Sequence, residues 1–183
     1  MPAPFRSFPS RRQRAWLRAW LVTAAIATVL PSAAVQATGD GGRPGRLDPI
    51  VGLWNAKATL VICGTGQPVP LPPGQRNPFD AMALFAADGT MHDTNANDPR
   101  ARSSSFGTWR RIGPRAYEFA FQFFRFEPSG SGVPIGSQVV RHEVRLAWDG
   151  QSYTSQGTAT FYDVDGNPLP AGGCSTSTAT RFR

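Results

Sequence analysis

The sequence predicts an all-β protein: a single eight-stranded antiparallel up-and-down barrel, closed by one disulfide and preceded by a signal peptide. Three observations carry this. After residue 37 the apolar residues come in short alternating runs, and no sustained 3.6-residue period occurs. The connections between the runs alternate long and short. The two cysteines, Cys63 and Cys174, fall at the end of the first run and the start of the last.

The leader comes first. Residues 1–18 contain Arg6, Arg11, Arg12, Arg14 and Arg18 and no acid, and a charge-free run follows from Ala19 to Gly39, apolar from Ala19 to Leu30. That order is a secretory signal. Val35-Gln36-Ala37 suits a signal peptidase, with Ala34 as the alternative cleavage point. The expected organisation is a signal peptide over 1–37, a flexible Gly-rich lead over 38–49 and a barrel domain over 50–183. The rival is an uncleaved anchor. The apolar stretch is closed by Pro31, well short of the ~20 residues that span a bilayer, so no stable membrane insertion is expected after cleavage. Ser10-Arg11-Arg12 resembles a twin-arginine signal, but Arg14 stands where that signal prefers an apolar residue, and the export route stays open. The expected location is secreted or periplasmic.

The net charge of +7 would ordinarily point to an anionic partner. Five of the 19 basic residues lie in the leader, leaving 14 against 12 acids in the rest. No block of like charge occurs there, which argues against nucleic acid as a partner.

An even cysteine count in an oxidising compartment favours a Cys63–Cys174 disulfide over a free catalytic thiol. The loop so closed, on the order of 100 residues, is stabilised by ~4 to 5 kcal/mol in the chain-entropy model. No cysteine stands at the cleavage site, which excludes lipid attachment there.

The eight runs are Ile50 to Cys63, Asp80 to Ala87, Thr90 to Asn95, Ser104 to Ile112, Arg115 to Glu127, Ser137 to Trp148, Ser152 to Val164 and Cys174 to Phe182. Asp88-Gly89, Gly113-Pro114 and Asp149-Gly150 are tight-turn chemistry. The other connections are long: Gly64 to Phe79 with five prolines, Ala96 to Ser103, Pro128 to Gly136 and Asp165 to Gly173. In a meander this puts tight turns at one end and long loops at the other. A bond between Cys63 and Cys174 makes first and last strands neighbours, which closes the sheet and removes its edges. A two-sheet sandwich is the alternative.

Alternation assigns the faces. Ile50, Gly52, Trp54, Ala56, Ala58, Leu60 and Ile62 share the inner side of the first run. If Cys63 lies opposite Cys174, Ala56 meets Arg181 and Trp54 lies diagonal to it, so that a cation covers the indole at the closed end. A slip by one would leave Arg181 in solvent. In the fifth run Tyr117, Phe119, Phe121 and Phe123 share a face until Phe124 and Phe126 break the phase, for which a bulge near Phe123 is expected. In the sixth, Val140, His142, Val144, Leu146 and Trp148 point inward.

Gly52-Leu53-Trp54 on the first strand, a late arginine near it and the longest loop directly after that strand together resemble the lipocalin pattern. The resemblance implies that Gly52, Trp54 and Arg181 close the base and that 64–79 covers the mouth of a ligand cavity. The Thr-Asp-Tyr motif of that family is missing, and no helix follows the last run.

The resulting expectation is a barrel that binds a small hydrophobic molecule through His142, Tyr117, Phe119, Phe121, Val140 and Val144. His142 has two readings, a hydrogen bond to a ligand's polar end or a core histidine satisfied within the protein. Protein binding or inhibition through the long loops is the alternative function. A cofactor-free isomerase or cyclase using His142 or Glu118 is a third. Convergent catalytic groups are otherwise thin: His92 and His142 fall at different levels, no zinc-type cluster is in view, and no phosphate loop or dinucleotide fingerprint occurs. Asp163-Val164-Asp165-Gly166-Asn167 is similar to the start of a calcium loop, but glycine stands fourth rather than sixth, and a turn is expected. Neither metal nor cofactor is expected.

Overall fold

The computed structural model describes residues 47–72 and 74–183; the expected signal peptide and most of the expected lead lie outside the described residues. Eight strands follow one another: β1 (Gly52–Val61), β2 (Phe79–Phe85), β3 (Thr90–Asn95), β4 (Ser105–Gly113), β5 (Ala116–Phe126), β6 (Pro134–Leu146), β7 (Ser152–Tyr162) and β8 (Pro168–Arg181). Each pairs antiparallel with the next and β8 returns to β1, giving a closed up-and-down barrel. Cys63 and Cys174 are bonded, their Cα atoms 5.3 Å apart.

The β1–β8 register differs from the expectation by two residues. Val61, not Cys63, stands opposite Cys174, and Trp54, not Ala56, stands opposite Arg181. A shift of two keeps every side chain on its face, whereas a shift of one would invert them. Cys63 lies beyond the end of β1, where its backbone is no longer held to the ladder, and reaches Cys174 from there.

Three further expectations are corrected. The last connection is not a long loop, because β8 starts at Pro168 and forms with β7 a hairpin that runs past the rim, Thr160 pairing Gly172 and Tyr162 pairing Pro168. β1 ends level with Cys174, so the earlier part of β8 is an edge, where proline is tolerated because no neighbour needs its missing N–H. Trp148 is not inward: β6 ends at Leu146, the chain enters the 147–151 turn, and Trp148 is 88% exposed beneath the Arg115 guanidinium, 3.5 Å from the ring centroid. No bulge occurs at Phe123. Phe124 simply alternates outward, and the irregularity falls between Arg125 and Phe126, where Pro134 on the facing strand has no N–H to give.

The lower third of the barrel is packed solid. Ile50, Trp54, Phe85, Met91, Tyr117 and Val144 are all but inaccessible. Tyr153 meets Trp54 edge-on with centroids 5.0 Å apart, and Phe85 meets Trp109 the same way at 6.1 Å, the geometry that aromatic quadrupoles favour. Beneath them Arg181 lies 4.4 Å from the Trp54 ring centroid. Its guanidinium donates to the carbonyls of Gly150 (2.9 Å), Val51 (3.0 Å) and Pro49. Gly52 has φ +133°, and a Cβ there would stand 2.8 Å from an Arg181 nitrogen, so glycine serves both the backbone and the cation. Asp48 and Pro49, the last residues of the lead, are thereby held under the base, with Arg111 3.7 Å from the Asp48 carboxylate.

Candidate functional site

Above the packed base the inward residues shrink on one side. β1 and β2 contribute Ala56, Ala58, Ala81 and Ala83, and β8 contributes Ser175 and Ser177, while β5 opposes them with Phe119, Phe121 and Phe123. Small residues facing large ones at constant strand spacing leave a hollow. It measures about 1180 Å³ up to its mouth, slightly above the ~300 to 1,000 Å³ of most small-molecule sites. The aromatic wall is ordered: Phe119 and Phe121 are 5.8 Å apart with planes 17° from parallel, and Phe123 continues the row at 6.3 Å.

Of the six residues expected to meet a ligand, Phe119, Phe121, Val140 and His142 border this cavity. Tyr117 and Val144 lie in the base cluster, each 1% exposed. The alternation that selected them reports the face and not the height, and these two stand nearest the tight turns.

His142 is fixed from both sides. Its Nδ1 is 2.8 Å from the Ser155 hydroxyl, its Nε2 2.8 Å from that of Ser175, and Ser155 is 2.6 Å from Ser177. The ring reaches across β7 to β8 because the intervening residue is Gly157, where a Cβ would stand 2.4 Å from the imidazole and 1.8 Å from the Arg141 carbonyl oxygen. A neutral imidazole has one donor and one acceptor nitrogen, which two hydroxyls satisfy. Burial lowers its pKa from 6.5 to about 4, because a charged ring would lose its hydration. Phe119 stacks on it at 5.1 Å. The within-protein reading of this histidine therefore describes its hydrogen bonds, while one face of the serine ladder still borders the cavity.

A second polar cluster escaped sequence reasoning. Asp93 on β3 accepts from Arg102 and from the Ser105 hydroxyl, at 3.1 and 3.2 Å. Arg102 comes from the 96–104 connection and lies 3.9 Å from the Phe123 ring centroid. It fills the gap where β3 and β4, paired only as far as Asp93 and Ser105, part company. Burial pushes the Asp93 carboxyl from 3.8 up to about 6, against the charge of Arg102 and the hydrogen bonds from Arg102 and Ser105. Burial also raises the nearby Tyr153 phenol, helped by the Asp93 charge. The signal was present in the sequence: Met91 and Asp93 share the inner phase of β3, so one acid had to face inward.

The other candidates stand apart. His92 is outward on β3, its ring 4.7 Å from Phe106. Glu118 is also outward, paired with Arg110 in the solvent, which removes it as a base for chemistry inside the barrel. Asp163 accepts from the backbone N–H of Asp165 (3.0 Å) and of Asn167 (2.8 Å), the bonding of a tight turn. Among the described residues no group of three His, Cys, Asp or Glu side chains could hold a metal ion, and no helix is long and apolar enough to cross a membrane.

The first 17-residue connection, 62–78, does not hang free. Asn77 bonds both the N–H and the carbonyl of Leu60, at 2.8 and 2.9 Å, and the carbonyl of Val69, at 2.8 Å, while Val69 donates to Leu60 at 2.9 Å. The segment is pinned beside the upper end of β1, and Gly74, Gln75 and Arg76 border the mouth.

Fold and site together define a class: a closed eight-stranded meander barrel with a sealed base and a hollow, aromatic-walled upper part. Compared with known proteins, the chain matches no family model, no curated protein and no solved structure.

Proposed function

We propose that this barrel is a secreted or periplasmic carrier of a small hydrophobic molecule, lipocalin-like in design, released from its leader by cleavage after residue 37. The observation that supports it is the cavity of about 1180 Å³ that runs from between the β5 phenylalanines and the alanines of β1 and β2 up to the connections at the mouth. Its apolar walls forgo dispersion contacts unless something occupies the space between them. The base supports the lipocalin likeness through the Gly52, Trp54 and Arg181 arrangement. The disulfide suits an oxidising compartment.

The test is native mass spectrometry of the exported protein, followed by titration with N-phenyl-1-naphthylamine, a neutral fluorescent probe. A bound small molecule, or probe uptake that Ala58→Trp abolishes while the melting temperature holds, supports the reading. An empty barrel that refuses the probe overturns it, and the pinned 62–78 loop, as a docking surface for another protein, becomes the better account.

A further inference from the structure

We propose that the cavity selects amphipathic anions, with the acid group on Arg125 at the mouth and the apolar body along the β5 wall; this rests on the carrier reading above. The inward face of β5 reads Phe119, Phe121, Phe123 and then Arg125, all four bordering the cavity. The wall is apolar until its upper end, where a guanidinium replaces the phenyl rings.

Arg125 and the neighbouring Arg102 of the 96–104 connection differ in what they already hold. Arg102, bridged to Arg125 through the backbone, spends its donors on Asp93, Ser105 and the Ser103 carbonyl. Arg125 lies 4.7 Å from the Phe161 ring centroid and forms no ion pair among the described residues. Its partner across β6 is Gly136, which has no side chain to cover it. The acids around the cavity are already matched: Asp80 with Lys57, Asp93 with Arg102 and Asp98 with Arg100.

Arg76 of the 62–78 connection also borders the mouth and forms no ion pair among the described residues, so the charge left unanswered there is positive, and Arg125 is the cation that continues the β5 wall. A guanidinium that rests over an aromatic ring and donates no hydrogen bond among the described residues has its N–H groups free for a carboxylate or sulfonate, which it can bind through two parallel hydrogen bonds. Apolar wall and terminal cation together specify a molecule with an oily body and one acid group.

The experiment compares two probes with one skeleton on the purified, disulfide-closed protein: 1-anilinonaphthalene-8-sulfonate and neutral N-phenyl-1-naphthylamine. Arg125→Gln should weaken the sulfonate by about 10- to 100-fold, the loss of a charge-assisted hydrogen bond, and leave the neutral probe within about twofold. Retained neutral binding also reports that the variant is folded. Dodecanoate should displace the sulfonate from the wild type at concentrations where dodecanol does not, and the difference should vanish in Arg125→Gln. Equal loss of both probes, or none, overturns the assignment while leaving the carrier reading intact, Arg125 then being a surface cation resting on Phe161. If the wild type takes up neither probe, the carrier reading falls and this inference with it.

Discussion

The base and the upper half of the barrel are made by the same eight strands with the same alternation, yet one is filled and the other hollow. Below, Trp54, Phe85, Trp109, Tyr117 and Tyr153 reach across and interlock. Above, alanines and serines on one side stop short of the phenylalanines on the other. Backbone hydrogen bonding holds both halves, but apolar packing is concentrated in the lower one. Stability and binding are thus assigned to different heights of one tube.

Truncating large side chains in each half is the strongest way to break that division. Trp54→Ala should cost about 4 kcal/mol, as for a fully packed aromatic, whereas Phe121→Ala, partly buried and bordering the cavity, should cost about 1 to 2 kcal/mol because it enlarges a space instead of creating one. Urea denaturation reads both, and equal losses would mean that the upper half is packed after all.

Proton linkage sharpens the contrast next. Folded His142 binds its proton less readily than the unfolded chain, so its contribution is present above pH 6.5 and is lost as pH falls towards about 4. Asp93 acts in the opposite sense: its folded carboxyl holds a proton up to about pH 6 against 3.8 unfolded, so stability rises as pH falls through that window. The two largely cancel between pH 6 and 4. Asp93→Asn should unmask a loss of about 2 to 3 kcal/mol between pH 6.5 and 4.5, and His142→Gln should show a gain over the same interval. Matching slopes in wild type and both variants would refute the assignment. The surface carboxylates Asp80, Asp88, Asp98 and Asp163 are shifted downward by their hydrogen bonds and act below this window.

The smallest effect comes from adding volume. Ala58→Leu projects into the cavity and should leave stability within about 1 kcal/mol, while Ala179→Leu, in the packed cluster and 3% exposed, should cost about 1 to 3 kcal/mol by overpacking. Thermal melts of the pair decide it.

Much of the architecture could be read from residue order. Period-two alternation located all eight strands, and the cysteine positions joined the first to the last. Alternation gives faces but carries no height, so it could not tell that Tyr117 and Val144 belong to the base while Phe119 and Val140 line the hollow. Edge tolerance was equally invisible: Pro168 and Gly172 read as loop chemistry, yet they pair with β7 at an edge left open where β1 stops. The Asp93–Arg102 cluster joins a strand to a connection. Its geometry depends on β3 and β4 separating, which no local pattern encodes.

Arg181 gathers carbonyls from the segment before β1 and from the turn after β6, and Phe182 donates to Leu53 beside it. Entry and exit of the described chain consequently meet at one pole, opposite the cavity opening. A circularly permuted version, joined across that pole and cut in the 127–133 connection, keeps every rung of the ladder. A surface or reporter attached at Leu47 or at Arg183 would present the barrel with its opening outward.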